Sequence, residues 1–255
     1  MIQRRDCKLA IAIPVSIISD IPHLREKTLE IGLIGRAAAI FRVNEIVVFS
    51  DNSGDHTQKR DRNLIVTLLS YMETPQYMRK RLFELKPELR YAGILPPLRT
   101  SHHPLEQRAR KLKVGEHREG VIVAINEQGS LVDIGVERSL LIPDKKLPLN
   151  KRVTVTLTKA GKHPKVALSS REDIETYWGY TVTSSKGSFG KVTKSCNYDL
   201  VIATSKIGTP LTQVTDELAE RWKKSSNILV AFGAPSRGLQ AVSYTHLTLP
   251  TILLV

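Results

Sequence analysis

The hydrophobic pattern of this chain changes period twice, and that alternation limits the folds open to it more than any single motif. Residues 8–14 and 45–50 are short apolar runs joined by a longer stretch, 22–42, whose apolar positions recur at helical spacing. Between Gly115 and Glu172 the spacing shortens: 120–125, 130–134, 139–142, 152–157 and 165–169 are β-rich runs separated by Gly, Asn, Pro or charged turns. Strand and helix then alternate again, with apolar runs at 199–203 and 228–232, a helical pattern at 211–224 and a short strand expected near 180–182. An entirely apolar strand such as 228–232 needs cover on both faces, as helices give a parallel sheet. The fold class expected is α/β, a parallel-sheet domain interrupted by a small OB- or S1-like β-barrel.

Local signals refine this plan. Asp20 offers an N-cap and Pro22 a first-turn residue for the helix 22–42; further helices are expected at 59–72 and, begun by Pro75, at 75–84. The division expected is residues 1–91 and 173–241 for the α/β domain, 92–114 for a basic linker, 115–172 for the barrel and 242–255 for a tail that does not belong to the fold.

Charge points to the partner. The formal net charge is +13, and between Gln76 and Lys113 ten basic residues face three acidic ones. Clustered Lys and Arg gain affinity for polyanions through counterion release, so nucleic acid leads as the partner and a small-molecule binder is disfavoured. No Phe, Tyr or Trp occurs between Gly115 and Glu172, so the barrel is expected to contact backbone phosphates or position the RNA instead of stacking bases, with a purely structural insertion as the alternative. No apolar run approaches the roughly 18–20 residues of a membrane span, and the N-terminus lacks a signal peptide's apolar core, so a cytoplasmic protein is expected. Cys7 and Cys196 are too few for a disulfide framework and are expected as small buried residues. His102 and His103 lack a third ligand at metal-binding spacing, so no metal is expected.

The strand 228–232 runs straight into Phe232-Gly-Ala-Pro-Ser-Arg-Gly-Leu239, where two glycines bracket a proline. Glycine loops after buried strands let backbone approach a ligand closely. Together with Ala10-Ile-Ala-Ile-Pro14, Gly35-Arg-Ala-Ala-Ala-Ile-Phe41, Val47-Val-Phe49, Leu95-Pro-Pro-Leu-Arg-Thr-Ser-His-His-Pro104 and Tyr198-Asp-Leu-Val-Ile-Ala-Thr-Ser205, this loop is similar to the archaeal and eukaryotic branch of SPOUT-type RNA methyltransferases that carry an inserted S1-like barrel. The resemblance covers about residues 6–240. It implies S-adenosylmethionine held in a C-terminal trefoil knot, a homodimer with sites at its interface, and methyl transfer to rRNA or tRNA, with uridine N3 as the target atom.

Carried over by position, the resemblance implies a cofactor site walled by a loop at 203–208, with Ala203, Thr204, Ser205 and Gly208, and by the loop with Phe232, Gly233, Ala234, Pro235, Gly238 and Leu239. Arg36 is the expected catalytic residue; buried, it would need an RNA phosphate or a carboxylate such as Glu30 or Asp51. RNA contacts are expected from Arg79, Lys80, Arg81, Arg99, His102, His103, Arg108, Arg110 and Lys111. Lys206 and Arg237 lie in the proposed loops and Asp51 in a turn, with RNA contact and proton acceptance as alternatives to solvation.

Residues 242–255 contain no Asp, Glu, Lys or Arg, and 242–251 resemble a translated sequencing-library adapter. The helix and Gly/Pro loop that the family pattern calls for there are replaced, so the cofactor site is expected to be incomplete and this chain inactive. A second class, a non-catalytic RNA-binding or ribosome-assembly factor with the same fold, stays open.

Overall fold

A computed structural model describes residues 3–51, 56–195, 197–236, 238–239 and 251–254. The chain forms two units, one made of Arg5–Glu73, Pro87–Pro97 and Gly179–Val255, the other of Met1–Arg4, Thr74–Lys86 and Leu98–Trp178.

The first unit is built on a six-stranded parallel sheet. Its strands are β1 (Lys8–Pro14), β2 (Glu45–Phe49), β8 (Thr181–Ser185), β9 (Leu200–Thr209), β10 (Asn227–Ala231) and β11 (Thr251–Leu254), in the order β11-β9-β10-β1-β2-β8. Strands β1, β2 and β10 bury most of their residues, as cover on both faces requires. Ala10, Ala12, Val47, Phe49, Val201, Ala203, Leu229 and Ala231 alternate along their strands into one core with Phe189, Val192 and Leu239. Helix α1 (Leu24–Ile40) packs on α2 (His56–Glu73), with Gly35 so close to Tyr180, Leu69 and Met72 that a side chain there would meet all three. No buried residue anchors α5 (Leu211–Lys224), although its sequence is strongly amphipathic.

Three local expectations are corrected. Helix α1 begins after His23, not Asp20, because Asp20 sits in the preceding turn and accepts a hydrogen bond from Ser236. A helix at Phe189–Ser195, α4, was not foreseen: at seven residues with a glycine it carries little periodic signal, and Phe189 and Val192 hold it by burial. Residues 203–208 form no loop. The chain stays extended through Thr209; β11 pairs with Val201–Ala203 and, across a register shift, Leu254 lies opposite Thr209. Apart from Thr251–Leu254, the tail expected at 242–255 lies outside the described residues, as do Arg237 and Cys196; Cys7 is half-buried.

The second unit is a five-stranded antiparallel sheet in the order β5-β4-β3-β6-β7, with β3 (His117–Asn126), β4 (Gly129–Asp133), β5 (Leu140–Pro143), β6 (Arg152–Lys159) and β7 (Lys165–Ser169). Its edge strands β5 and β7 also approach each other, curling the sheet. Val121, Ile122, Val132, Ile134, Val155, Leu157 and Val166 are among its buried residues, β-branched for the most part. The unit takes in more than residues 115–172. Ala109 and Leu112, expected in a linker, belong to its core, and α3 (Gln76–Leu82) packs Tyr77 against Gly135. Gly135 has φ +78, and a Cβ there would come within 2.5 Å of the Tyr77 ring.

Candidate functional site

The C-terminal ends of the parallel strands form one edge, the place where open α/β sheets bind ligands. Phe232 donates its N–H to the Ala12 carbonyl at 2.9 Å, carrying the β1–β10 pairing one residue further. Beside it the Thr204 hydroxyl donates to the Ala231 carbonyl at 2.9 Å, while Ala203 is fully buried. Ser236 donates to the Asp20 carboxylate, tying the loop after β10 to the turn after β1. Ala234 and Leu239 are buried, Phe232 is 39% exposed, and a Cβ at Gly238 would meet nothing within 4 Å. The loop is thus anchored at two apolar points, with Phe232 partly exposed and room beside Gly238. Gly233 and Ser205 are half-buried, Pro235 is exposed, and Gly208 lies within β9.

At the end of β2 the edge becomes polar. Arg62 donates to the Ser50 hydroxyl at 2.9 Å, and Gln58 donates to the buried Asp51 carboxylate at 2.8 Å. The sequence marked Asp51 alone; Gln58 and Arg62 are one and two turns into a helix and resemble surface residues until that helix is folded back.

Arg36 departs from expectation. It is exposed, and neither Glu30 nor Asp51 pairs with it. It rises from an apolar stripe on α1, where Leu29, Leu33 and Ile40 are 48%, 51% and 64% exposed. A cavity of about 330 Å³ lies at the opposite, N-terminal edge of the sheet, lined by residues including Lys8, Asn44, Glu45 and Tyr198, so it is separate from the loop edge.

The expected RNA contacts divide by burial. Lys80, Arg81, Arg99, Arg108, Arg110 and Lys111 are exposed, Lys111 with an ion pair to Glu106 at 3.2 Å. Arg79 is half-buried and donates to the Thr74 carbonyl at 2.8 Å, which closes its own turn. His102 is corrected: it is fully buried, its ring 4.3 Å from the half-buried His103 ring and 6.0 Å from that of Trp178, so it packs the interior and does not face RNA. Among the described residues no group of three or more His, Cys, Asp or Glu could hold a metal, and no helix is long and apolar enough to cross a membrane.

Sequence reasoning missed Glu119. Its carboxylate, 1% exposed, accepts from Arg152 Nε at 2.5 Å, Trp178 Nε1 at 2.6 Å, Thr154 Oγ1 at 2.9 Å and Arg171 Nε at 3.3 Å. Its backbone carbonyl takes the Tyr77 hydroxyl at 2.7 Å. Burial pushes the Glu119 carboxyl up, but Arg152, Arg171 and these hydrogen bonds outweigh it and hold it below the usual range. Burial likewise pushes the Tyr77 phenol well above its ordinary value.

A parallel sheet with a loop at its strand ends and a separate antiparallel sheet define a mixed α/β protein. A sequence profile for the family described as "Putative RNA methyltransferase" matches residues 8–249, and the chain belongs to that RNA methyltransferase family. It is similar to the 28S rRNA (uridine-N(3))-methyltransferase of Mus musculus, 34% identical over a gapped alignment of 265 positions that takes in 94% of this chain and 65% of the mouse protein. The protein of the same name from Drosophila melanogaster is 31% identical, over 92% of this chain and 52% of its own length. An uncharacterized protein of Halobacterium salinarum is 28% identical, over 90% of this chain and 78% of its length. The chain thus spans between half and two thirds of these two animal relatives.

Proposed function

We propose that this protein transfers a methyl group from S-adenosylmethionine to RNA, with N3 of a uridine in ribosomal RNA as the target. The observation that carries this reading is the edge where Thr204, Ala231 and the Phe232–Leu239 loop meet. An aromatic ring, glycine backbone with room around it and two buried anchors suit a purine nucleoside, which needs an apolar face and backbone donors. When bound, the cofactor supplies a methyl group already activated on a sulfonium. Methylation replaces the proton on uridine N3, so the chain's part is to align the RNA base, exclude water and let that proton leave to a basic group or to solvent as the thioether departs. The names of the mouse and fly relatives support uridine N3 in large-subunit rRNA.

Within this reading the antiparallel unit is an S1/OB-like RNA module, the C-terminal strands belong to a knotted cofactor domain, and the α1 stripe of Leu29, Leu33 and Ile40 meets a second copy. Arg36 rises from that stripe and would reach RNA at such an interface.

The test is transfer of radiolabel from S-adenosylmethionine to deproteinised ribosomal RNA. It uses residues 1–255 and a chimera whose residues 242–255 are replaced by the matching segment of the Halobacterium relative. The expected result is labelled RNA and its loss on Gly233→Trp, with the comparison of the two chains reading what residues 242–255 contribute. A chimera that binds the cofactor in calorimetry yet labels no RNA would favour the non-catalytic RNA-binding alternative.

A further inference from the structure

The antiparallel unit gathers basic residues from three distant segments at one end of its sheet. The approach to β3 carries Arg110 and Lys113, and it is fixed there by Ala109 N–H donating to Glu137 Oε2 at 2.8 Å and Gly115 N–H to the Leu157 carbonyl at 2.8 Å. The β4–β5 connection brings Arg138, whose guanidinium donates to the Lys162 carbonyl. The β6–β7 hairpin brings Lys159, Lys162 and Lys165, and residues 157–170 contain no acidic residue. All six side chains are exposed, and none is ion-paired with a carboxylate among the described residues.

The carboxylates at this end are committed. Glu106 pairs with Lys111 at 3.2 Å, and Glu116 with the buried Arg118 at 2.8 Å. Glu137 accepts the Ala109 N–H, and that bond first, then the charges of Arg138 and Arg110, hold its carboxyl below the usual range. Arg110 and Arg138, 28 positions apart in the chain, therefore act on one group.

We infer that this end of the sheet, centred on the β6–β7 hairpin, is a binding surface for the RNA sugar–phosphate backbone, with Arg138 as the residue that positions the hairpin. The inference rests on the RNA reading above and adds a surface to it. Lysines spread over three loops with no aromatic among them match a charged backbone and leave bases unread. Affinity at this surface is steeply salt-dependent and indifferent to sequence.

The experiment is fluorescence anisotropy with a fluorescein-labelled 20-nucleotide oligouridine and an equal-length mixed-sequence RNA, across a salt series. Lys162→Glu with Lys165→Glu weakens both RNAs about tenfold or more and flattens the log–log salt slope by about 1.4, two single-strand phosphate contacts. Lys145→Glu with Lys146→Glu changes charge equally at the other end of the sheet, beside Gln128 and Ser130, and costs less than about threefold. The neutral triple Lys159→Gln, Lys162→Gln, Lys165→Gln repeats the loss without charge reversal. Equal losses from both Glu pairs, or wild-type affinity in the triple variant, would overturn the surface while RNA binding by the wild type still stood. A wild type that binds neither RNA at low salt would remove the RNA reading as well.

Discussion

Ser236 donates its hydroxyl hydrogen to the Asp20 carboxylate, joining the loop that follows β10 to the turn that follows β1. These residues are 216 positions apart, and the bond explains why Asp20 does not cap α1. Asp20→Ala frees the loop between its buried points, Ala234 and Leu239. A charge-assisted but solvent-exposed hydrogen bond is worth about 1 kcal/mol, so amide exchange across residues 233–238 speeds about fivefold while the thermal midpoint scarcely moves. Unchanged exchange would show that the loop is held by Ala234 and Leu239 alone.

Glu119→Gln removes the charge that two arginines share. Breaking a buried ion network costs about 3–5 kcal/mol, and the partial exposure of Arg152 and Arg171 puts this case nearer 2 kcal/mol. Urea unfolding followed by Trp178 emission in a Trp222→Phe background reads the effect, because Trp178 donates to Glu119 directly.

The same carboxylate sets an acid limit. Its folded pKa lies below the unfolded value, so its contribution is fully present above about pH 4.3 and is lost as pH falls through the folded pKa. The wild-type midpoint for Trp178 therefore drops on acidification through this window. The drop is smaller for Glu119→Gln, which carries no such proton; parallel curves would discard the assignment.

Gly135→Ala meets two penalties, a left-handed φ of +78 and a Cβ within 2.5 Å of the Tyr77 ring. Tyr77 is held in place by its hydrogen bond to the Glu119 carbonyl. The loss is about 2 kcal/mol in chemical denaturation, and Gly135→Ala with Tyr77→Ala costs less than the sum of the single changes.

Leu33→Glu with Ile40→Glu places two charges on the exposed α1 stripe. Light scattering after gel filtration reads a dimer for the wild type and a monomer for the variant, with the thermal midpoint at low concentration within about 1 kcal/mol of equivalent stability. A variant that keeps the wild-type mass would send the search for a dimer interface elsewhere.

Local signals were legible in the sequence where they were strong. The bounds of β1, β7 and α5 follow from apolar or β-rich runs and from helical periodicity. What escaped was decided by distant partners. Ala109 and Leu112 sit in a stretch so basic that it reads as solvated, yet both fill the antiparallel core. Glu119 has no local signature, since its side-chain partners lie 33 to 59 positions away. His102 pairs in sequence with His103 and invites a chemical role, but its burial against Trp178 depends on a chain return 76 positions later. For the strand-end edge, the sequence marks Phe232–Leu239 but not the bond from Thr204 to Ala231 that aligns the neighbouring strand.

The position of β10 between β1 and β9 has a consequence for how the protein is made. Strand β1 leaves the ribosome more than two hundred residues ahead of its neighbour on one side, residues 227–231. While the residues between them are made, the edge Leu9-Ala-Ile-Ala-Ile13 lacks that hydrogen-bonding partner, an aggregation hazard that grows with translation time. Folding of the parallel unit is therefore expected to be slow and chaperone-sensitive, with insertion of β10 as the step that closes the sheet.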